Sequence, residues 1–285
     1  MRVIALLTFS TAISTTNNPT IMKKFLIIVA LVAVSFSAQA WNRLGHSTVV
    51  EIAKRHLTEK TKENVAKYMP YDIVKDASWM DANRGKKSKY RFSNSWHSYY
   101  YDSKFRHDPN VPNKIANGDT MRALDLAERN LSMYKELTDS AVIYNIRIIL
   151  HMVGDMHCPS HCKFIGGRDD AAPKVILKGK PMGSFHGFYD SMASHIYGKK
   201  KDPAELAAEL DTYSKAKRKK ICKGDHHDWA KECMRNTNVI HQWNPNNGSG
   251  EVLDDTIERS KDLIDMQLRH AGYRLAHLLN KYFGK

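Results

Sequence analysis

The chain has 285 residues, 42% hydrophobic and 26% charged. That balance excludes a disordered or collagen-like polymer and fits one large domain or two small ones. Its 44 Lys+Arg against 30 Asp+Glu give a formal charge of +14. Polyanions are therefore natural partners, and charge alone does not choose among nucleic acid, anionic lipid and phosphate esters. The 14 histidines are a heavy load that calls for a chemical reason.

In chain order, residues 1–21 read as an upstream extension and residues 22–40 as a bacterial-looking signal peptide. Lys23 and Lys24 precede a short apolar run over 25–34, and Ala38-Gln39-Ala40 supplies the small-x-small cleavage pattern. The run is too short for a membrane span, so no stable membrane anchor is expected and the mature protein, 41–285, reads as periplasmic or secreted. Removing 1–40 deletes Arg2, Lys23 and Lys24 but no acidic residue, so the basic excess persists. Export permits disulfides among Cys158, Cys162, Cys222 and Cys233. The local pairs Cys158–Cys162 and Cys222–Cys233 are the simplest, with a zinc site of His157, Cys158, His161 and Cys162 as the rival.

The mature chain reads as all-α. Residues 46–57 place Val49, Val50, Ile52, Ala53 and Leu57 on one broad helical face. Residues 119–137 form an amphipathic, exposed-looking helix. Residues 140–156 are far more apolar and read as a central buried helix. Residues 252–283 form a long periodic helix, which Gly272 would kink or bring close to a neighbour. Strand alternation is scarce apart from Lys174–Leu177. Residues 103–118, 199–203 and 244–250 read as loops, and the basic run 215–220 as a solvated helix face or, more sharply, a polyanion patch.

Two histidine–aspartate pairs carry the chemistry. His151 and Asp155 are four residues apart, as are His186 and Asp190, so each pair lies on one face of a helix. His161 follows Pro159, which interrupts the first helix and lets that histidine approach from the turn beyond. Imidazole nitrogen and carboxylate oxygen are donors that zinc accepts. Burial of the 140–156 helix strengthens the reading, because buried ionisable groups need partners or a metal. Asp81, Arg84, His97 and His46 lie upstream. Cleavage before Trp41 would free an amine near His46 that could chelate a metal with its own carbonyl.

Taken together these residues resemble the zinc-dependent single-strand nucleases and 3′-nucleotidases of the mung bean nuclease family, whose fold is shared with bacterial zinc phospholipase C. The marks are Trp41 with Gly45-His46 shortly after, Trp79-x-Asp81-x-x-Arg84, Trp96-His97, His151-x-x-x-Asp155-Met156 and His186-x-x-x-Asp190. The resemblance runs from Trp41 to Ala276. It implies one mostly helical domain with a cleft holding three zinc ions. Asp81, His97, His151 and Asp155 would hold one; His161, His186 and Asp190 a second; the Trp41 amine and carbonyl, His46 and a shared Asp155 the third.

The implied activity is hydrolysis of single-stranded DNA and RNA to 5′-phosphorylated products, with 3′-nucleotidase activity, by attack of zinc-activated hydroxide on phosphorus. Arg84 would bind the phosphoryl oxygens, and Asp81 would act chiefly as a ligand while helping to orient water. Substrate contacts fall to Ser98, Tyr99 and Tyr100, where Ser98 replaces the family's usual aromatic. No obligate protein partner is evident. A phospholipase C-like hydrolase and a non-enzymatic exported zinc- or nucleic-acid-binding protein are the alternatives. The short interval from Trp41 to His46 and the final Asp190 favour the nuclease branch over the lipase branch.

Overall fold

The computed structural model describes residues 41–108, 117–164, 174–242 and 250–285. The expected upstream extension and signal peptide lie outside these residues, as do parts of the loops expected at 103–118 and 244–250. Among the described residues helices dominate. They are α1 (Arg43–Lys54), α2 (Glu59–Ala66), α3 (Trp79–Asn83), α4 (Thr120–Ser132), α5 (Asp139–His157), α6 (Phe185–Asp190), α7 (Met192–Tyr197), α8 (Pro203–Leu210), α9 (Lys215–Ile221), α10 (His226–Gln242) and α11 (Thr256–Phe283). The strands are short: β1 (Tyr99–Tyr101), β2 (Cys162–Phe164), β3 (Lys174–Leu177), β4 (Lys180–Ser184) and β5 (Gly250–Glu251).

Side chains set most helix starts. Asn42 accepts the Gly45 N–H and begins α1 three residues before the apolar periodicity does. Thr58, Asp119, Thr138 and Ser184 cap α2, α4, α5 and α6 in the same way. The helix expected over 119–137 ends at Ser132 and continues as the 3-10 turn Tyr134–Glu136. The C-terminal helix starts at Thr256 rather than 252, because the Val252 N–H is drawn to Ile176 O beside β3. The basic helix α9 buries no side chain and is a solvated face.

The core forms where α5 and α11 meet, with α1 packed on α11 and α4 on α5. Helix α5 is buried along its last three turns, from Ile148 to His157. Helix α11 runs through Gly272 as one element. A Cβ at Gly272 would sit 2.5 Å from Ile52 Cβ and 3.1 Å from Val49 O, so the missing side chain lets α1 and α11 approach closely. Two small sheets decorate the helices. In one, β1 pairs in parallel with β2, setting Tyr99 opposite Cys162. In the other, β3 lies between antiparallel β4 and parallel β5.

Arg274 ties the helices together from within. Its guanidinium is 1% exposed and donates to His157 Nε2 at 2.8 Å, Glu232 Oε2 at 2.7 Å and Ile221 O at 3.1 Å. Partial burial opposes ionisation of Glu232, but hydrogen bonds and charge from His270 and Arg274 win and push its carboxyl down to about 2.

The expected disulfides do not form: Cys158, Cys162, Cys222 and Cys233 are free thiols. Cys158 faces Ser160 and Asp190, while Cys162 faces the Tyr99 hydroxyl and Met156 O, so the two thiols of the first local pair have separate partners. The rival Cys/His zinc site does not assemble either. His157 donates from Nδ1 to Val153 O and accepts from Arg274 at Nε2, which uses both ring nitrogens.

Two outcomes test this packing. Gly272→Ala should lower stability by about 1–3 kcal/mol through overpacking against α1, read by urea denaturation; an unchanged midpoint would contradict the close approach. Glu232 has a folded pKa below its ordinary 4.5, so its stabilising effect is present above 4.5 and is lost as pH falls towards about 2. Glu232→Gln should therefore be less stable than the native protein at pH 7, with the gap narrowing as pH drops through that window. A gap that widens on acidification would show the sign to be wrong.

Candidate metal centre

The carboxylate of Asp155 is fully buried on α5 and organises the site. Its Oδ1 lies 3.3 Å from His46 Nε2 and 4.0 Å from His161 Nδ1. Its Oδ2 lies 2.9 Å from His97 Nδ1 and 3.3 Å from His151 Nε2. Four imidazoles thus surround one carboxylate, two to each oxygen. Neither oxygen accepts a well-directed hydrogen bond, and neither ring nitrogen of His46 has a partner. Buried polar groups are nearly always satisfied, so this concentration of orphaned donors and acceptors needs something between them.

Asp81, brought in by α3, places its Oδ1 3.6 Å from His97 Nδ1 and its Oδ2 3.7 Å from His151 Nε2. Arg84, one turn on, sets Nη2 3.1 Å from Asp81 Oδ1. On the far side of Asp155, Asp190 Oδ1 lies 3.2 Å from His161 Nε2, and Asp190 Oδ2 lies 3.2 Å from His186 Nε2. The His46 and His151 rings stack with centroids 3.9 Å apart, and those of His161 and His186 stack at 4.7 Å. All eight expected ligand side chains converge.

Local structure explains the convergence. Four-residue spacing on α5 and α6 aligns His151 with Asp155 and His186 with Asp190. The 3-10 turn Pro159–His161 folds back from the end of α5 and delivers His161. A Cβ at Gly154 would lie 2.8 Å from His46 Nδ1 and 3.7 Å from Trp41 Cδ1, so glycine there admits the α1 histidine. Trp41 is buried, and the Asn42 N–H donates to Asp190 O at 2.8 Å, which fastens the start of the domain to the second half of the site.

Backbone carbonyls aim three of the rings. His151 donates from Nδ1 to Ala77 O at 2.8 Å, and His186 from Nδ1 to Ser160 O at 3.2 Å. His161 donates from Nδ1 to His97 O. Each bond leaves the Nε2 lone pair turned towards the carboxylates, the arrangement that fixes metal-ligating histidines. Ser160 also donates from Oγ to Asp190 Oδ1 at 2.5 Å. These supports went unseen in the sequence, because a carbonyl has no residue signature. Cys158 was also missed as a neighbour of the site. It stands with His161 and Asp190 in one cluster of possible metal donors.

The donor set suits a metal. Tetrahedral zinc with arms of about 2.0–2.1 Å needs donor atoms about 3.3–3.4 Å apart, and the donor separations here, 2.9–3.7 Å within the first cluster, bracket that length. Burial lowers the pKa of His97 and of His186 to about 4, keeping both neutral and able to ligate at pH 7. His151 moves the other way: burial disfavours its charge, but the Asp155 and Asp81 carboxylates outweigh burial and raise it to about 9. A cation is the counter-charge these carboxylates call for.

The proposed base platform needs correction at Tyr99. Its ring is fully buried and its hydroxyl donates to Met156 O at 2.9 Å, because alternation along β1 turns Tyr99 and Tyr101 into the core. Ser98 and Tyr100 are half-buried.

A mostly helical domain with buried His/Asp clusters around one shared carboxylate is of the class built to hold metal ions. Within that class, the pattern described as S1/P1 Nuclease matches residues 41–284, and the chain belongs to the S1/P1 nuclease family. A plant relative, Endonuclease 4 of Arabidopsis thaliana, is 25% identical over 186 residues. That match spans 59% of this chain and 60% of the relative's length.

Gly154→Ala tests the construction of the site. The added methyl should displace His46 and weaken zinc uptake tenfold or more, the scale on which ligand-orienting groups act. Zinc affinity equal to the native protein's, measured by competition with a chromogenic chelator, would contradict the packing.

Proposed function

We propose that this chain is an exported, zinc-dependent phosphodiesterase that cleaves single-stranded DNA and RNA to 5′-phosphorylated products and removes phosphate from 3′-nucleotides. The observation that carries the reading is Asp155, whose two buried oxygens each face two imidazoles. We assign three zinc ions to the donors: Asp81, His97, His151 and Asp155 for one; His161, His186 and Asp190 for another; His46, Asp155 and the Trp41 amine and carbonyl for the last. Bound there, zinc would supply Lewis acidity towards a phosphoryl oxygen and activate water as a nucleophile near neutral pH.

The protein's own groups do the rest. Arg84, whose side chain is 15% exposed beside Asp81, is positioned to bind phosphoryl oxygens as their charge is redistributed. The Asp81 carboxylate orients that guanidinium while serving as a ligand. No nucleophilic side chain is needed. Burial of the ligands favours a flexible strand over a duplex, since a single strand can splay a base away from its phosphate. Ser98 and Tyr100 are the assigned base contacts. Export rests on Lys23, Lys24 and the Ala38-Gln39-Ala40 pattern, and it would make the Trp41 amine free to ligate. Among the described residues no helix is long and apolar enough to cross a membrane.

The test is a side-by-side assay of single-stranded DNA, RNA, 3′-mononucleotides and a phosphatidylcholine analogue. Chelation should abolish nucleic-acid hydrolysis and zinc should restore it, while Asp155→Ala should lose activity and metal together. Arg84→Ala should lower kcat by about 10²–10³ at unchanged zinc content, the scale for losing one transition-state donor. Preference for the lipid, or full activity after Asp155→Ala, would overturn the reading.

A further inference from the structure

A second convergence of metal donors lies outside the Asp155 cluster. Asp125 on α4 meets His226 and His227 at the start of α10, and the three donor atoms lie within 4.8 Å of one another. Asp125 Oδ1 is 3.1 Å from His226 Nε2 and 3.0 Å from His227 Nε2. The two rings are 4.3 Å apart.

His226 gives the cluster its direction. The residue is 4% exposed, and its Nδ1 lies 2.6 Å from Glu128 Oε1. A carboxylate only accepts, so the ring proton is on Nδ1. The Nε2 is buried and makes no hydrogen bond, although it faces Asp125. In the neutral ring this sets an imidazole lone pair against a carboxylate, an arrangement that a cation between them resolves. Glu128 is itself held by Lys281 at 2.9 Å and Tyr282 at 2.5 Å from α11. This carboxylate–imidazole relay, anchored from behind, is how proteins orient a metal-binding histidine.

The alternative is a plain ion pair between a protonated His226 and Asp125. In that arrangement His227 Nε2 donates to Asp125 Oδ1 at 3.0 Å, while the buried His226 Nε2 still makes no directed hydrogen bond. Asp225, whose Oδ1 accepts the His227 and Asp228 N–H groups at 2.9 and 3.2 Å, adds negative charge that offsets the positive end of α10. His107 is near, with its ring 6.4 Å from that of His227, but its Nε2 is engaged by Asp119.

We propose that Asp125, His226 and His227 bind a divalent transition metal of the zinc class, with Glu128 as positioning residue. Asp125 and His227 have side chains 45% and 42% exposed, so water completes the coordination. The ion clamps α4 to α10 and has no part in phosphoester hydrolysis. The site stands independently of the function proposed above, since it shares no residue with the Asp155 cluster.

The test uses zinc itself. Native protein and the double variant Asp125→Asn/His227→Ala are dialysed against saturating zinc, desalted and analysed for metal per chain. The native protein should carry one ion more than the variant, and the variant should keep native hydrolysis of single-stranded DNA. Equal metal content would overturn the proposal, as would a lost ion accompanied by lost activity, which would assign it to the Asp155 cluster. A readout on the native protein alone covers a variant that fails to fold. Zinc added beyond saturation of the tighter sites should shift the His227 imidazole NMR signals in a saturable way. Unchanged His227 signals would also overturn the proposal.

Discussion

Burying the Asp155 carboxylate governs the rest of the molecule. A carboxylate moved out of water carries a penalty of several kcal/mol, offset only by well-placed partners. Its side chain is fully enclosed, and α5 alone cannot satisfy it. The partners come from separate places: His46 from α1, His97 from the turn before β1, His151 from one turn earlier on α5, and His161 from the turn beyond. The helices must therefore approach α5 on several sides at once. Gly154 removes the side chain that would strike His46, and Gly272 lets α11 close on α1 behind it. Packing and site are one requirement met by the same residues.

Nine of the 14 histidines then fall into two groups. Five surround the three carboxylates of the candidate metal centre, Asp81, Asp155 and Asp190. Four others face carboxylates across elements: His56 with Asp211, His107 with Asp119, His226 with Glu128 and Asp125, and His270 with Glu232. Many acidic groups are thus consumed inside the fold or at helix junctions. The basic residues of α9 stay outside.

The helical fold and the two His/Asp pairs were legible because both rest on short-range periodicity, whereas the places of His46, Asp81 and His97 came only from the family resemblance. Apolar spacing exposed α5 as a buried helix, and the four-residue intervals at His151 and His186 survive intact in α5 and α6. What stayed hidden depends on contacts distant in sequence. Tyr99 is buried because β1 pairs with β2, and that pairing sets it against Cys162. Cys158 and Cys162 are four residues apart, yet a turn and a strand start between them send the thiols to different partners. The carbonyls of Ala77 and Ser160 orient rings without leaving any mark in residue type. Asp125 and His227 are separated by 102 positions, so no spacing argument joins them.

The central claim is that the orphaned oxygens of Asp155 are metal ligands. The most direct measurement is an anomalous difference map at the zinc absorption edge, from crystals of residues 41–285 grown with zinc. The account predicts separate peaks at coordination distance, about 2.0–2.2 Å, from each Asp155 oxygen, and a further peak between His161, His186 and Asp190. A map with no anomalous density among these side chains would contradict it.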